Sequence, residues 1–298
     1  MSFRPSRWLT TAFSIALLAL PAASTASAQS DVFTDPFELE IGKGTWGVFL
    51  PSYNLGDLSS GESRFQDDLD DPGFIIRLNA IRRFLGTRTS METRGWYAFA
   101  GANSLSPEGD IIFDNPGTGG TSLVSGGRGH LESNTSHYGG EFRLRDTWRT
   151  RFGGLSAGMT ATYMAFDQDF EVEFGNRRLF DETLQSDFVG GKGFVGWDGS
   201  LMGYRSKIDL LFGYFDVDAE YEYDGAAFAG NRRVEGGEQS GTIEIQASTR
   251  RFFNVGEVGL TLNAMYITDM PSLIQNNGPV TLGDEEAATV SAMVEWVF

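Results

Sequence analysis

Apolar and polar residues alternate along the segment 288–298, and this alternation constrains the fold more than any other feature. The even-numbered residues, Val290 and Val294 among them, are all apolar, whereas the odd-numbered ones include Ser291 and Glu295. Successive side chains of a β-strand point to opposite faces, so this segment has one apolar and one polar face as a strand. The segment 155–165 repeats the pattern with its apolar residues at odd positions. The sequence therefore favours strands over helices.

The same period of two recurs in ten segments, less cleanly in those near 45–50 and 96–103, and it predicts ten strands. They lie near residues 45–50, 74–83, 96–103, 138–148, 155–174, 189–197, 204–222, 242–250, 258–266 and 288–298. Short connections alternate with long ones rich in Gly, Asn and Asp, as in membrane β-barrels. The fold class expected is an all-β, transmembrane antiparallel β-barrel of ten strands. Twelve strands is the alternative, if "GDIIFDN" (109–115) and "TSLVSGG" (121–127) form another membrane hairpin.

Aromatic residues mark both ends of the predicted apolar faces. Tyr138, Tyr163, Tyr214 and Tyr266 lie at the end with the long loops, and Trp148, Trp197, Tyr204, Trp296 and Phe298 at the end with the short turns. Two such girdles are typical of barrels at the two membrane interfaces. About 11 residues separate them, which matches the 9 to 11 residues of a tilted membrane strand.

The ending on Trp296 and Phe298 resembles the last strand of Gram-negative outer-membrane β-barrels. In that class a C-terminal aromatic residue is read by the barrel-assembly machinery. The resemblance implies a location in the cell outer membrane, with short periplasmic turns and long extracellular strand extensions and loops. It also implies the outer-membrane lipids, lipopolysaccharide and the assembly machinery as partners.

The N-terminal 28 residues have the plan of a secretory signal peptide. Arg4 and Arg7 precede the apolar run "LTTAFSIALLAL", and small residues follow at 26–28. We therefore predict a cleaved signal peptide at 1–28, a short periplasmic segment at 29–41 and an outer-membrane barrel at 42–298. The segment 29–41 is too short for a passenger domain, so an autotransporter-type translocator is less favoured, although an adhesin made from the loops is possible.

One phrase occurs twice: "FDQDFEVEFGNRR" from Phe166 and "FDVDAEYEYDGAAFAGNRR" from Phe215. In both copies the outward row turns acidic just beyond a girdle tyrosine, at Asp167, Asp169, Glu171 and Glu173 and at Asp216, Asp218, Glu220 and Glu222. Carboxylates do not sit in hydrocarbon, so the switch predicts the outer edge of the membrane. Either these acids form a solvated face or they bind Ca²⁺ or Mg²⁺ that bridges to lipopolysaccharide phosphates.

The inward row beyond the same edge is apolar, which predicts an apolar outer vestibule. Its candidate residues are Phe166, Phe170, Phe174, Phe180, Phe188, Phe215, Tyr221 and Tyr223. One hypothesis is capture of a hydrophobic solute, since small-molecule pockets are mostly apolar. The alternative is a small core in which the loops pack onto these aromatic residues.

At membrane level the inward rows are charged instead. The predicted lumen-lining charges are Arg77, Arg83, Glu141, Arg143, Arg145, Lys192, Arg205, Lys207, Asp209, Glu244, Arg250 and Glu295. Such charges set selectivity in channels, and the basic excess favours anions if a pore exists. The alternative is that these groups pair with one another and fill a narrow lumen.

Enzyme activity is not expected. The two histidines, His130 and His137, lie in "GHLESNTSHYGGE" beside Ser136, but adjacent strand residues diverge, so Ser136 and His137 point to opposite faces. Serine hydrolysis needs the hydroxyl and the imidazole within hydrogen-bonding reach. A lipid-modifying barrel enzyme is therefore the least favoured hypothesis, and no catalytic residue, metal or cofactor is predicted.

Composition narrows the remaining possibilities. The chain has 23 basic and 40 acidic residues, a net charge of −17, which argues against a nucleic-acid partner. It contains no cysteine, which excludes disulfides and thiolate metal sites. The function expected is a porin-like channel or a facilitator for small solutes, and the alternative is a non-conducting structural or surface-interaction, adhesin-like barrel. The solute and the oligomeric state are not indicated by the sequence.

Overall fold

The computed structural model describes residues 37–50, 53–58, 64–67, 72–84, 87–106, 109–151, 153–175, 177–201, 204–225, 231–253, 256–274 and 279–298. The predicted signal peptide, 1–28, lies outside these ranges. Among the described residues no helix is long and apolar enough to cross a membrane.

Fourteen strands make up the described structure. They are β1 (Phe37–Phe49), β2 (Tyr53–Leu58), β3 (Arg64–Asp67), β4 (Pro72–Arg83), β5 (Thr89–Leu105), β6 (Gly109–Asp114), β7 (Thr121–Gly127), β8 (Gly129–Thr150), β9 (Gly153–Phe174), β10 (Arg177–Leu201), β11 (Tyr204–Asp224), β12 (Asn231–Phe253), β13 (Gly256–Ile274) and β14 (Thr281–Val297).

Ten of these strands close into an antiparallel barrel. Their order around the ring is β1-β14-β13-β12-β11-β10-β9-β8-β5-β4, and β4 pairs with β1 to complete it. The first and last strands meet at the turn end, where the amide N–H of Phe298 donates to the carbonyl of Leu39 over 2.9 Å. The prediction of ten strands is confirmed. β1 begins at Phe37, so it includes the last five residues of the segment 29–41.

The twelve-strand alternative is wrong. β6 and β7 pair with each other and, through β2, with β3 in a separate four-stranded sheet of order β3-β2-β6-β7, which we call the loop sheet. β6 has 6 residues and β7 has 7, fewer than the 9 to 11 that cross a bilayer. Their apolar residues are used in packing instead, since Ile111 and Phe113 are fully buried.

The outward rows of the barrel form an apolar band. Met159, Val195 and Phe212 are 67%, 56% and 53% exposed, respectively, which in water would be unfavourable for side chains of this size. The band faces lipid, because only every second residue of a membrane strand contacts the hydrocarbon.

Strands β8 to β12 are 21 to 25 residues long, about twice what a bilayer crossing needs. Their surplus extends beyond the girdle tyrosines at the end with the long loops, which we call the loop end. The opposite end, with the short turns, is the turn end. At one of these turns Gly153 has a φ of +120°, a conformation that favours glycine.

The two faces of the long strands exchange polarity at the tyrosine girdle of the loop end. On β9 the outward residues up to Ala165 are small or apolar, as is Ala161 opposite Phe142 on β8. Asp167 then follows on the same face. The inward residues change in the opposite sense, from Thr160 and Thr162 to Phe166. The barrel is thus apolar outside and polar inside at membrane level, and acidic outside and apolar inside beyond it.

Candidate functional site: a filled lumen

Charged side chains from strands all around the ring meet inside the barrel at membrane level and form what we call the ion-pair layer. Its members are Glu40, Arg77, Glu92, Arg94, Glu141, Arg143, Arg145, Lys192, Lys207, Asp209, Glu244, Arg250 and Glu295. Each sits on an inward row because of the period-two alternation of its strand.

Arg143 is the centre of this layer. Its guanidinium lies 2.6 Å from Glu141, 3.1 Å from Asp209 and 3.8 Å from Glu92. Arg145 shares two of these carboxylates, at 2.5 Å from Asp209 and 3.0 Å from Glu92. A buried guanidinium has five donors to satisfy, and several carboxylates provide the acceptors that water would otherwise supply. The group therefore forms one connected network.

An aromatic ring supports the two arginines. The guanidinium carbons of Arg143 and Arg145 lie 4.9 and 4.6 Å from the centroid of the Phe194 ring, within cation–π range. Gly158 on the neighbouring strand makes room for this ring, since a Cβ there would lie 2.8 Å from it and 1.9 Å from the Leu144 carbonyl oxygen.

Three further sets of ion pairs complete the layer. Arg77 pairs with Glu295, and the Thr261 hydroxyl donates to the same carboxylate over 2.6 Å. Arg250 lies 2.7 Å from Glu40, whose other oxygen accepts from the Asn79 amide. On the other side, the amine of Lys192 bridges Glu244 and Glu141.

Ten of the twelve predicted lumen charges belong to this layer. The other two, Arg83 and Arg205, lie at the turn end with side chains 45% and 43% exposed. They pair with Glu38 at 2.5 Å and with Asp198 at 3.8 Å, respectively. Both strands reach the water there, so these cations line the mouth of the barrel.

Sequence reasoning missed three members, Glu40, Glu92 and Arg94. Glu92 and Arg94 lie on the inward row of β5 below Trp96, and Glu40 lies in the first turn-end residues of β1. Extending the alternation of β1 and β5 toward their turn ends would have identified these three residues. Only the loop-end halves of the two strands, however, show clear alternation in the sequence.

The layer leaves no open pore at this level of the described structure. Arg143 and Glu295 are each 1% exposed, and Asp209 and Glu40 are each 2% exposed. Side chains that line an open pore are accessible to water, so exposures this low mean that the cross-section is filled. Just beyond it lies a cavity of about 40 Å³ beside His137 and Lys192, enough for a few water molecules.

Beyond the layer the interior is filled by two apolar clusters. The lower cluster holds Phe166, Phe188 and Phe215 together with Trp46 and Met265. Its aromatic rings meet edge to face, with centroids 5.8 Å apart for the first two and 6.3 Å for the second and third.

The upper cluster contains the remaining five vestibule residues, Phe170, Phe174, Phe180, Tyr221 and Tyr223. All are at most 7% exposed, because Ile111 and Phe113 of the loop sheet and Val280 pack into their midst. In the described part of the chain the eight candidate residues therefore do not line an open vestibule. They point inward as predicted and are packed into a core.

His137 lies between the two kinds of interior. Its Nε2 accepts a hydrogen bond from the indole of Trp96 over 2.9 Å, and its Nδ1 lies 3.1 Å from the Ala165 carbonyl. The ring stacks on Phe166 with centroids 4.1 Å apart. Ser136 is on the outer face, where it contacts the Tyr97 hydroxyl. The two neighbours thus do not form a nucleophile and base pair, and the absence of enzyme activity stays a prediction.

The outward acids of β9 and β11 form an acidic wall on the extension. In the described residues no group of three or more acidic or histidine side chains is arranged to hold a metal ion. Burial raises the pKa of Asp167 to about 6, and the nearby Asp187 and Asp169 add to the rise against a hydrogen bond from Tyr138. At Asp167 the neighbouring carboxylates thus add to the effect of burial.

A closed ten-strand ring, a lipid-facing apolar band and a polar interior define a transmembrane β-barrel of the Gram-negative outer-membrane class. In this class the turn end faces the periplasm and the loop end the outside. No protein-family model matches the sequence, and no curated protein matches it.

The fold is similar to that of a solved outer-membrane protein. The chain is similar to the outer membrane protease OmpT from Escherichia coli, with a TM-score of 0.55 and 11% identity over 91% of this chain and 100% of that one. At this identity the likeness shows the fold alone. The Pseudomonas putida toluene transporter TodX matches with a TM-score of 0.31 and 11% identity over 89% of this chain and 90% of that one. That TM-score is too low to carry an argument.

Proposed function

We propose that this protein is a closed, non-conducting barrel that anchors a structured head at the outer surface of the outer membrane. The observation that carries the proposal is the filled lumen, in which Arg143 and its carboxylate partners are inaccessible to water. A solute would have to displace these ion pairs and then pass two apolar clusters. Breaking a buried ion pair costs about 3–5 kcal/mol, so spontaneous opening is rare.

The head supports the second half of the proposal. It consists of the extended ends of β8 to β12 and the loop sheet, held together by the upper apolar cluster. A rigid, water-exposed body on top of a closed barrel is suited to contact other molecules at the cell surface, because binding residues are best held by a stable scaffold. The acidic wall favours partners with basic or cation-bridged surfaces.

The porin-like channel predicted from the sequence is the second hypothesis. The basic excess among the lumen charges favours it, but conduction would require both apolar clusters to separate as well as the ion-pair layer to open. The two hypotheses differ in one measurable property, the conductance of the folded barrel.

Single-channel recording of the refolded mature protein in a planar bilayer tests the proposal. We expect no discrete current steps from protein whose barrel is shown to be folded by its heat-modifiable migration on a gel. A general porin recorded in the same bilayers is the positive control. Reproducible steps with anion preference would overturn the closed barrel and establish the channel.

Cysteine labelling in intact cells tests the display of the head. Asp218→Cys lies on the acidic wall, and Asp198→Cys lies near the turn end of β10, so a membrane-impermeant maleimide should label the first alone. The second should react only after the outer membrane is permeabilised. The opposite pattern would reverse the topology and remove the head from the cell surface.

A further inference from the structure

A cavity of about 800 Å³ opens at the turn end of the barrel, on the periplasmic side. Glu92 and Arg145 of the ion-pair layer form part of its lining, so the layer closes its inner end. The cavity is thus a blind cup that the periplasm can reach and the outside cannot. Its volume lies in the range of about 300–1,000 Å³ that small-molecule sites occupy.

The charge of this cup is opposite to the charge of the whole protein. Seven basic and three acidic side chains line it, in a chain whose net charge is −17. Three of the seven, Arg145, Lys207 and Arg250, also belong to the ion-pair layer and have carboxylate partners there. Arg83 pairs with Glu38. Cations that outnumber their partners repel one another, and this arrangement is favourable only if an anion is bound or water screens them.

The cations near the opening are those with the least compensation. Arg88 and Arg149 are exposed and make no ion pair with any described residue. Arg205 has one acid, Asp198, at 3.8 Å, which is a long contact for an ion pair. Lys207 lies deeper, 25% exposed, 3.4 Å from Glu92 and 3.6 Å from Asp209.

The chemistry of these groups favours a phosphate. Arginine guanidinium groups present paired N–H donors that match phosphate oxygens bidentately, and a lysine adds a point charge. The side chains of the ion-pair layer fill the cross-section of the barrel, whereas the basic side chains of the cup surround an open cavity. Packing of the lumen therefore does not explain why these basic residues lie together.

We propose that the turn-end cup is a periplasm-facing binding site for a phosphate-bearing ligand. Two sources offer this chemistry, a soluble phosphate ester of the periplasm and the headgroup of an inner-leaflet phospholipid. Trp148 is part of the lining and belongs to the turn-end girdle, so the rim of the cup lies at the depth of the lipid headgroups. The site is separate from the surface role proposed above and does not depend on it.

Calorimetric titration of the refolded protein in zwitterionic detergent with pyrophosphate tests the site. We expect one-to-one binding that weakens about tenfold or more in Arg149→Gln/Arg205→Gln, since the variant removes two guanidinium groups that would donate charge-assisted hydrogen bonds to the phosphate oxygens. Neither arginine belongs to the ion-pair layer, so the variant should fold and keep its unfolding midpoint.

Arg177→Gln/Arg178→Gln is the matched control, because it removes two exposed arginines from the loop end of the barrel. It should bind pyrophosphate as the wild type does. Absence of binding by the wild type, or equal weakening in both variants, would overturn the proposal, the latter because only diffuse charge attraction would then remain.

The two sources are separated in nanodiscs. If the ligand is a phospholipid headgroup, phosphatidylglycerol nanodiscs should abolish pyrophosphate binding by the wild type, whereas phosphatidylcholine nanodiscs should weaken it less. If the ligand is soluble, binding should persist in both lipids. Loss of binding in both lipids and retention only in detergent would show that the cup is not accessible in a membrane, and would overturn the site.

Discussion

The interior of the barrel is filled both at membrane level and in the extension, but by side chains of opposite polarity. The first is filled by the ion-pair layer and the second by the two apolar clusters. The outer surface explains the difference. Where lipid surrounds the barrel, the outward residues are apolar and the inward residues are polar. Where water surrounds it, the outward residues are polar and the inward residues are apolar.

This comparison has an energetic consequence. Apolar burial in the extension contributes directly to stability, at about 25 cal/mol per Å² removed from water. A buried ion-pair network contributes little net stability but is very sensitive to the loss of a member. The two regions should therefore respond differently to substitution, pH and salt.

The largest effect is expected from Arg143→Ala. The change leaves Glu141 and Asp209, at 2.6 and 3.1 Å from the guanidinium, without their central partner in a site where Arg143 is 1% exposed. Removal of one partner from a buried network costs about 3–5 kcal/mol. Chemical unfolding in lipid vesicles, followed by tryptophan fluorescence, measures it, and a loss below about 1 kcal/mol would contradict a dry ion-pair layer.

Leu184→Ala tests the apolar interior of the extension. Leu184 is 1% exposed in the upper cluster, so its truncation leaves a cavity and should cost about 3 kcal/mol. Leu155→Ala is the matched control, since Leu155 is 52% exposed on the lipid face and its truncation leaves no cavity. The same unfolding assay checks both, and equal losses would mean that the upper cluster is not a packed core.

Asp167 sharpens the comparison on the outer face. Its pKa of about 6 in the folded protein lies above the ordinary value of 3.8, so the folded protein holds this proton more tightly than the unfolded chain. Stability is therefore highest below about pH 3.8 with respect to this group, and falls as the pH rises through 6.

We expect Asp167→Asn to raise the free energy of unfolding by about 1–2 kcal/mol at pH 7, after allowance for partial solvent screening. At pH 4, close to the ordinary pKa of 3.8, the gap between the variant and the wild type should be much smaller. Unfolding titrations between pH 4 and 7.5 measure the difference, and a gap that does not change with pH would show that Asp167 is not the titrating group.

The smallest effect is expected at Arg233, the exposed counterpart of Arg143. It too faces three carboxylates, Glu220 at 2.7 Å, Glu235 at 3.1 Å and Glu222 at 3.5 Å, but its side chain is 56% exposed. Exposed ion pairs contribute about 0–1 kcal/mol, so Arg233→Ala should change stability by less than about 1 kcal/mol. A loss as large as that of Arg143→Ala would mean that burial does not set the difference between the two sites.

The sequence by itself determined the ten strands of the ring, the face of each side chain on the strands with clear alternation and the level at which the two faces exchange character. The physical reason is that these depend on the period of two and on the surrounding solvent, both of which are local. Asp167 following Tyr163 on one face already marks the membrane edge. The apolar runs of β6 and β7 were ambiguous, because a short apolar strand is the same whether it faces lipid or a core.

Only the tertiary structure decided which charges meet and whether the lumen is open. Arg143 and Asp209 are 66 residues apart and Arg77 and Glu295 are 218 apart, so their pairing depends on the closure of the ring. An inward position gives the face of a side chain but not which residues lie opposite it across the lumen, nor how much of the cross-section all ten strands fill together. The side chains of the extension fill its interior, whereas those of the basic cup leave a cavity. This difference depends on all ten strands together and cannot be seen from any single strand.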